Sequence, residues 1–105
     1  MFYEIRRETA VPGRGRDLAR WMDEQVIPLH EASGMIVAGA FTDAADEDAF
    51  VWIRKFGSDE EREEIVTRVH QDPLFESVIR PRLADLMAGE AVTVRLVPTA
   101  HSRLG

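Results

Sequence analysis

The chain has 105 residues, of which 45% are hydrophobic and 30% are charged, and it has no cysteine and a net charge of −6. These values predict one folded domain with its own core, and they exclude disulfides and thiolate metal sites. The acidic balance disfavours binding to nucleic acid or to an anionic membrane surface. The apolar runs are too short to span a membrane and the first residues lack a signal-peptide pattern, so we expect a cytoplasmic protein.

Hydrophobic periodicity divides the chain into two β-α-β halves of similar length. Ser58 and Glu61 form a capping box at the start of the second helix. Pro28 is expected to bend or end the first helix in its last turn, and Pro81 to kink or split the last helical segment. The expected elements are strands at residues 2–9, 35–41, 50–56 and 91–97, and helices near residues 14–31, 59–70 and 74–87.

This β-α-β-β-α-β order predicts an α+β fold of the ferredoxin-like class, a four-stranded antiparallel sheet with its helices on one face. We expect the domain to occupy residues 1–98 and residues 99–105 to form a short tail. An acidic segment at residues 42–48 precedes the third strand. A calcium loop is conceivable there, but the segment lacks the ligand spacing of an EF-hand, which favours a solvated hairpin turn.

The third strand has two very different faces. Period two places Phe50, Trp52, Arg54 and Phe56 on one face, and the compact Val51 and Ile53, together with Lys55, on the other. Compact β-branched residues are suited to packing under helices, so we expect the helices to cover Val51 and Ile53. The aromatic face would then be the open face of the sheet, which is a large apolar patch to leave in water.

Two kinds of partner could cover such an open face. Single-stranded nucleic acid could stack on it, as it does on RNA-recognition sheets, or a second subunit could set its sheet against it. The chain is acidic, and its third strand lacks the basic, glycine-containing pattern of an RNA-recognition motif. We therefore expect a homodimer through the open sheet face, with no nucleic-acid partner and no membrane partner.

Four segments, taken together, resemble the NIPSNAP family of the dimeric α+β-barrel superfamily. They are Phe2-Tyr3-Glu4-Ile5-Arg6, Val11-Pro12-Gly13-Arg14, Gly34-Met35 and Phe50-Val51-Trp52-Ile53-Arg54-Lys55-Phe56. The resemblance covers nearly the whole chain and implies a ferredoxin-like subunit in a homodimer whose two sheets form a barrel. It also implies ligands between sheet and helices or inside the barrel, as in the monooxygenases, cyclases, isomerases and haem proteins of that superfamily. The segment Gln71-Asp72-Pro73-Leu74-Phe75 departs from the family pattern.

The principal candidate residues lie on neighbouring strands of this fold. Glu4, Arg6, Trp52 and Arg54 would share one face of strands one and three. In a catalytic interpretation, an arginine polarises an enolate or carboxylate of the ligand, Glu4 shuttles a proton and Trp52 supplies a stacking wall. In a structural interpretation, the same charges form a buried ion pair that locks the dimer. Both interpretations fit the sequence.

His30, near the end of the first helix, is a further candidate general base, and it could equally interact with the helix dipole and the last carbonyls. His70 ends the second helix and His101 lies in the tail, and three scattered histidines do not predict a metal site. No phosphate-binding loop or nucleophile elbow is present, so we expect no cofactor. The candidate substrate-binding residues are Trp52, Phe50, Phe56, Tyr3 and Met35.

These observations favour a small, cofactor-independent homodimeric enzyme. We expect it to act on a hydrophobic, oxygen-bearing small molecule by proton transfer, as an isomerase, a cyclase or a monooxygenase. The alternative is a non-catalytic module for small-molecule binding or dimerisation. A fully packed interior would exclude the enzyme, so the space around the candidate residues discriminates between the two.

Overall fold

Four antiparallel strands form one sheet in a computed structural model that describes residues 1–104 of the chain. The strands are β1 (Phe2–Thr9), β2 (Ile36–Asp43), β3 (Asp46–Phe56) and β4 (Val92–Leu96). Their order across the sheet is β2-β3-β1-β4. This topology confirms the ferredoxin-like fold that the element order predicts. Among the described residues, no helix has both the length and the apolarity needed to cross a bilayer.

Three helices connect the strands, and two of them contain a π-helical segment. Helix α1 covers residues 15–32 and is π-helical at Met22–Val26, helix α2 is Asp59–Gln71, and helix α3 covers residues 75–86 and is π-helical at Phe75–Ile79. The predicted Ser58 cap is confirmed, because its hydroxyl oxygen accepts the backbone N–H of Glu61 at 3.1 Å. The Glu61 carboxylate accepts the backbone N–H of Gly57 at 2.9 Å, one residue before the position that a capping box requires.

Each π-helical segment ends two residues before a proline, Pro28 in α1 and Pro81 in α3. A proline cannot donate the backbone hydrogen bond of a regular α-helical turn, and its ring crowds the carbonyl of that turn. A wider π-helical turn before the proline accommodates both effects. Helix α1 therefore continues to Ala32 instead of ending near Pro28.

The acidic segment forms a tighter hairpin than the sequence predicts. Strands β2 and β3 extend into it and leave only residues 44–45 as the turn. Arg7 on β1 donates to the carboxylates of Asp43 at 2.9 Å and Asp46 at 3.4 Å. These ion pairs offset the acidic charge that would otherwise oppose strand pairing.

The aromatic face of β3 lies under the helices, so the predicted open face of Phe50, Trp52, Arg54 and Phe56 is wrong. These four residues are 0–4% exposed, and their aromatic members belong to the core that α1, α2 and α3 complete. Val51 and Ile53 point the other way and are partly exposed. The reason is area: large aromatics bury far more apolar surface under a helix layer than valine or isoleucine do.

The open face of the sheet is instead mainly aliphatic, and it also carries the charged side chains of Arg7 and Lys55. Its half-exposed members are Ile36 (54%), Phe41 (54%), Val92 (63%), Val94 (49%) and Leu96 (45%), and the register places Ile5, Val51 and Ile53 on the same face. At one end, residues 97–104 follow β4, and five of them line a cleft with Tyr3, Ile5 and Ile53. Half-exposed apolar side chains in such a patch are uncommon on monomeric proteins.

Candidate functional site

A cavity of about 270 Å³ lies between the sheet and the three helices. The sheet contributes Arg6, Glu8, Trp52 and Arg54; α1 contributes Val26 and His30; α2 contributes Arg62, Val66, Val69 and His70; α3 contributes Phe75 and Leu83. This volume is near the lower end of the range for small-molecule sites, roughly 300–1,000 Å³. The interior is therefore not fully packed, and the candidate residues surround the space.

The cavity adjoins an outer groove of about 600 Å³ that lies between α3 and the segment before β4. Arg6 and Leu83 line both spaces. The Arg6 side chain is 30% exposed, in contrast to the buried Arg54. Arg6 and Leu83 thus stand where the cavity meets the groove.

Glu4 binds arginines with both of its carboxylate oxygens. Arg54 Nη2 donates to Glu4 Oε1 at 3.0 Å, and Arg62 Nε donates to Glu4 Oε2 at 2.6 Å. Arg95 Nη2 lies 3.7 Å from the same Oε2. Glu4 is buried and is not among the lining residues of the cavity. The carboxylate therefore holds Arg54 and Arg62 in place from behind the cavity wall.

Glu8 is a buried carboxylate in the cavity wall that is absent from the candidates predicted from the sequence. Trp52 Nε1 and Arg6 Nε each donate to Glu8 Oε1 at 3.2 Å. Glu8 Oε2 is buried and has no hydrogen-bond partner among the described residues. The period-two register that joins Glu4 to Arg6 continues to Glu8, which is the signal that could have found it.

Arg54 is a buried guanidinium with one unfilled donor position. Its Nε is buried and has no hydrogen-bond partner in residues 1–104. Burial, together with the nearby charge of Arg6, lowers the pKa of Arg54 to about 10, and the attraction of Glu4 opposes this. The group therefore stays positively charged at neutral pH. Its carbon Cζ lies 5.1 Å from the ring centroid of Trp52, within cation–π range.

His30 faces the cavity as a neutral imidazole. Its Nδ1 lies 2.7 Å from the carbonyl oxygen of Val26, so Nδ1 carries the hydrogen and Nε2 carries the lone pair. Burial lowers the pKa of His30 to about 4, the Val26 bond opposes this shift, and the charges of Arg54 and Arg6 add to it. The hydrogen bond to a helix carbonyl is the one expected if His30 has a structural role. Because the imidazole is neutral, it gains no attraction from the helix dipole.

The other predicted site residues divide between the cavity, the core and the far side of the sheet. Phe50, Phe56 and Met35 are buried in the core without lining the cavity, and Tyr3 lies on the opposite face of the sheet. His70 lines the cavity, with its Nδ1 3.4 Å from Glu76 Oε1, and His101 is exposed. In the part of the chain that the structure describes, no three His, Asp or Glu side chains are grouped to hold a metal ion.

Comparison by sequence gives no match, since no protein-family model and no curated protein matches the chain. Solved structures do match. A NIPSNAP family protein of unknown function from Agrobacterium tumefaciens is 25% identical, with a TM-score of 0.89 over 100% of this chain and 94% of that one. An uncharacterized NIPSNAP domain protein from Burkholderia xenovorans is 17% identical, with a TM-score of 0.86 over 97% and 98%.

A more distant structure shares the same fold. A putative antibiotic biosynthesis monooxygenase from Nitrosomonas europaea is 16% identical, with a TM-score of 0.65 over 93% of this chain and 98% of that one. The NIPSNAP structures match more closely, and they match over nearly the full length of both chains. These structures confirm the resemblance that the sequence indicates: the chain has the fold of the NIPSNAP family.

Proposed function

We propose that this protein binds a small, hydrophobic, oxygen-bearing molecule in the cavity and acts on it by proton transfer, without a cofactor. The observation that carries the proposal is the unfilled bonding capacity of the cavity wall: Glu8 Oε2 and Arg54 Nε are both buried and unpaired within the described chain. Buried polar groups are nearly always paired in folded proteins. Both atoms lie just beneath the cavity surface, and a ligand towards which the two side chains turn would pair them.

The charges suit the abstraction of a proton from carbon or oxygen next to a carbonyl. The Glu8 carboxylate accepts the proton, the C–H or O–H bond pair stays on the ligand, and an enolate or phenolate oxygen results. The guanidiniums of Arg54 and Arg6 stabilise that negative charge in a buried site. Return of the proton to a different carbon completes an isomerisation. In a cyclisation, the enolate carbon first bonds to a carbonyl carbon of the same molecule, and the proton goes to the alkoxide that forms. In a monooxygenation, the anion supplies the electrons that reduce O₂: one oxygen atom bonds to the ligand carbon, which becomes a carbonyl, and the other leaves as water.

His30 and Glu4 have supporting roles in this scheme. The lone pair on His30 Nε2 accepts a hydrogen bond from a ligand hydroxyl, because the Val26 carbonyl holds the hydrogen on Nδ1. Glu4 positions Arg54 and does not shuttle a proton, since both of its oxygens are bound to arginines. The fold neighbour named a putative antibiotic biosynthesis monooxygenase supports small-molecule chemistry in such a cavity.

A homodimer through the open face belongs to the same proposal. Five apolar side chains on that face are about half exposed or more: Ile36, Phe41, Val92, Val94 and Leu96. Monomeric proteins rarely expose a contiguous apolar patch of this kind. A second copy of the chain, which the family resemblance implies, would cover it sheet to sheet. The surface is the aliphatic one, opposite to the aromatic face expected from the sequence.

A non-catalytic binding module is the second candidate. The observation that favours it is that Trp52 and Arg6 both donate to Glu8 Oε1 at 3.2 Å, because these bonds hold the carboxylate in one orientation. In such a module, His30, Glu8 and Arg54 would only orient the ligand. The two candidates therefore differ in whether Glu8 moves a proton.

Native mass spectrometry of the purified protein, followed by extraction of any retained molecule, tests the proposal. The extracted compound would be incubated in D₂O with wild type, with Glu8→Gln and with Glu63→Gln, a control at an exposed position of α2. An enzyme incorporates deuterium into the compound with wild type and the control but not with Glu8→Gln. Retention without exchange supports the binding module, and a protein that retains nothing contradicts both.

A further inference from the structure

The charges that surround the cavity do not balance. Arg6, Arg54 and Arg62 line it, whereas the carboxylates in contact with these arginines are Glu8 and Glu4. His30 adds no charge at neutral pH. Three guanidinium charges thus meet two carboxylate charges, and the excess falls on Arg6 and Arg62, whose side chains are 30% and 32% exposed. The cavity wall is therefore net positive where it approaches solvent, and an anionic ligand that enters gains Coulomb attraction from it.

Two unpaired atoms in the wall set two further requirements for the ligand. Arg54 Nε is a donor that lacks an acceptor, and Glu8 Oε2 is an acceptor that lacks a donor. Both residues are at least nine-tenths buried, at 4% and 2% exposure. A ligand that satisfies both must carry an oxygen that accepts from Arg54 and a separate hydroxyl that donates to Glu8.

The remaining wall is apolar and leaves room for a ring-sized body. Its members are Val26, Trp52, Val66, Val69, Phe75 and Leu83. The volume of about 270 Å³ excludes long-chain or polycyclic compounds from full enclosure.

We infer that the ligand is a compact hydroxylated monoanion: an apolar ring that carries one carboxylate or enolate oxygen and one hydroxyl separate from it. This inference rests on the proposed function, because it takes the cavity as the ligand site. The anionic oxygen binds Arg54 and Arg6, and the hydroxyl binds Glu8. The anion also resembles the charge that proton abstraction would create on the ligand.

Calorimetric titration with three matched probes tests the ligand class. The probes are 3-hydroxybenzoate, benzoate, which lacks the hydroxyl, and 3-hydroxybenzamide, which lacks the charge. We expect 3-hydroxybenzoate to bind at least about tenfold more tightly than either of the others, since a hydrogen bond to a charged group is worth that much or more.

Two variants assign the preference to residues. Glu8→Gln keeps an acceptor oxygen for Trp52 and Arg6, and we expect it to bind 3-hydroxybenzoate and benzoate equally while both still bind more tightly than the amide. Arg6→Gln should weaken both acids and leave the amide unchanged. Arg16→Gln, on the exposed side of α1, is the control and should behave as wild type. Circular dichroism of each variant verifies the fold.

Equal affinity for all three probes would overturn the ligand class while leaving a small-molecule site in place. Binding of benzoate as tightly as 3-hydroxybenzoate, or a preference unaffected by Glu8→Gln, would also overturn it. If none of the probes binds and the purified protein retains no compound, both this inference and the proposed function fail. Equal affinities, tight benzoate binding or a preference unaffected by Glu8→Gln would therefore overturn only the class of ligand, whereas the absence of any binding would overturn the site itself.

Discussion

His30 donates its Nδ1 hydrogen to the carbonyl oxygen of Val26, four residues earlier in the same helix, over 2.7 Å. Val26 is the last residue of the π-helical segment in α1, and both residues line the cavity. The bond fixes the tautomer of the imidazole and leaves Nε2 as an acceptor. The π-helical segment before Pro28 therefore helps to place His30 Nε2 in the cavity wall as a hydrogen-bond acceptor.

Acidification should destabilise the protein through His30. In the unfolded chain this imidazole is solvated and titrates at the ordinary histidine pKa of 6.5, whereas burial holds the folded-state pKa at about 4. Between these values the unfolded state binds more protons, so the free energy of unfolding falls as the pH falls. The loss approaches about 3 kcal/mol once the pH is below the folded-state pKa.

Urea unfolding at pH 7 and pH 4 measures this loss. Carboxylates also titrate in this range, so the informative quantity is the difference between wild type and His30→Asn, whose amide can still donate to Val26. The variant should lose less stability on acidification. His101→Asn, at an exposed position of the tail, is the control and should follow wild type. An identical pH dependence for wild type and His30→Asn would contradict the buried neutral imidazole.

The sequence predicts the strand order and the pairing that assembles the site, because these depend on local patterns. Period two in residues 2–9 and 50–56, joined by the topology, places Glu4 beside Arg54, and the register confirms that they are directly opposite. The Ser58 cap is likewise local. Such features follow from spacing and residue type alone.

The orientation of the sheet is where the sequence interpretation fails. Alternation separates Trp52 from Val51, but it does not say which of the two meets the helices. Arg54 argues for the open face, because a guanidinium is costly to bury. The structure buries it by pairing it with Glu4 at 3.0 Å. That compensating charge comes from another strand, so no local sequence pattern reveals it. The cavity likewise leaves no local pattern in the sequence.

Glu4→Gln should strongly destabilise the fold. The substitution removes the charge that compensates the buried Arg54 and leaves that guanidinium with a neutral partner. Removing one member of a buried ion pair costs about 3–5 kcal/mol. Chemical unfolding measures the loss. Replacing both members, as Glu4→Gln with Arg54→Met, should recover part of it, because no buried charge is then left unpaired.

Exposed pairs provide the contrast for that experiment. Glu76→Gln removes a carboxylate that bonds Arg80 on the surface of α3 at 3.1 Å. Solvent screens this pair, so the thermal midpoint should hardly change. A Glu4→Gln variant as stable as Glu76→Gln would mean that Glu4 does not hold Arg54 in place. Glu4 would then be available for the proton transfer expected of it from the sequence.

Gly15→Ala should destabilise the contact between α1 and the hairpin. The backbone N–H of Gly15 donates to the Asp48 carboxylate at 3.0 Å, and an added Cβ would collide with the carbonyl oxygen of Glu47. That neighbour is backbone, so relief requires the hairpin or the helix to move, at a cost of about 1–3 kcal/mol. Thermal unfolding should show a lower midpoint, by several degrees.

The adjacent Arg16→Ala variant is the control for this prediction. Arg16 is exposed in the same helical turn, and alanine favours the helix at least as well. Its midpoint should match or exceed that of wild type. A Gly15→Ala variant with an unchanged midpoint would show that the helix start tolerates displacement from β3.

Val94→Lys should convert the proposed dimer to a monomer. Val94 is 49% exposed on β4, and it pairs with Ile5 in the middle of the open face. A lysine there would be buried by a second copy without a counter-charge, and the face already carries Arg7 and Lys55. Light scattering at micromolar concentration should give one subunit mass for the variant and twice that mass for wild type.

Leu74→Lys tests whether a lysine at any exposed apolar position disrupts the dimer, or only a lysine on the open face. Leu74 is 60% exposed but lies just before α3, on the helix side of the sheet. Because the sheet-to-sheet arrangement leaves this position in solvent, the variant should keep the mass of wild type. Dissociation by Leu74→Lys with retention of the dimer in Val94→Lys would place the interface on the helices. A wild-type monomer would mean that the aliphatic face is covered by something other than a second copy.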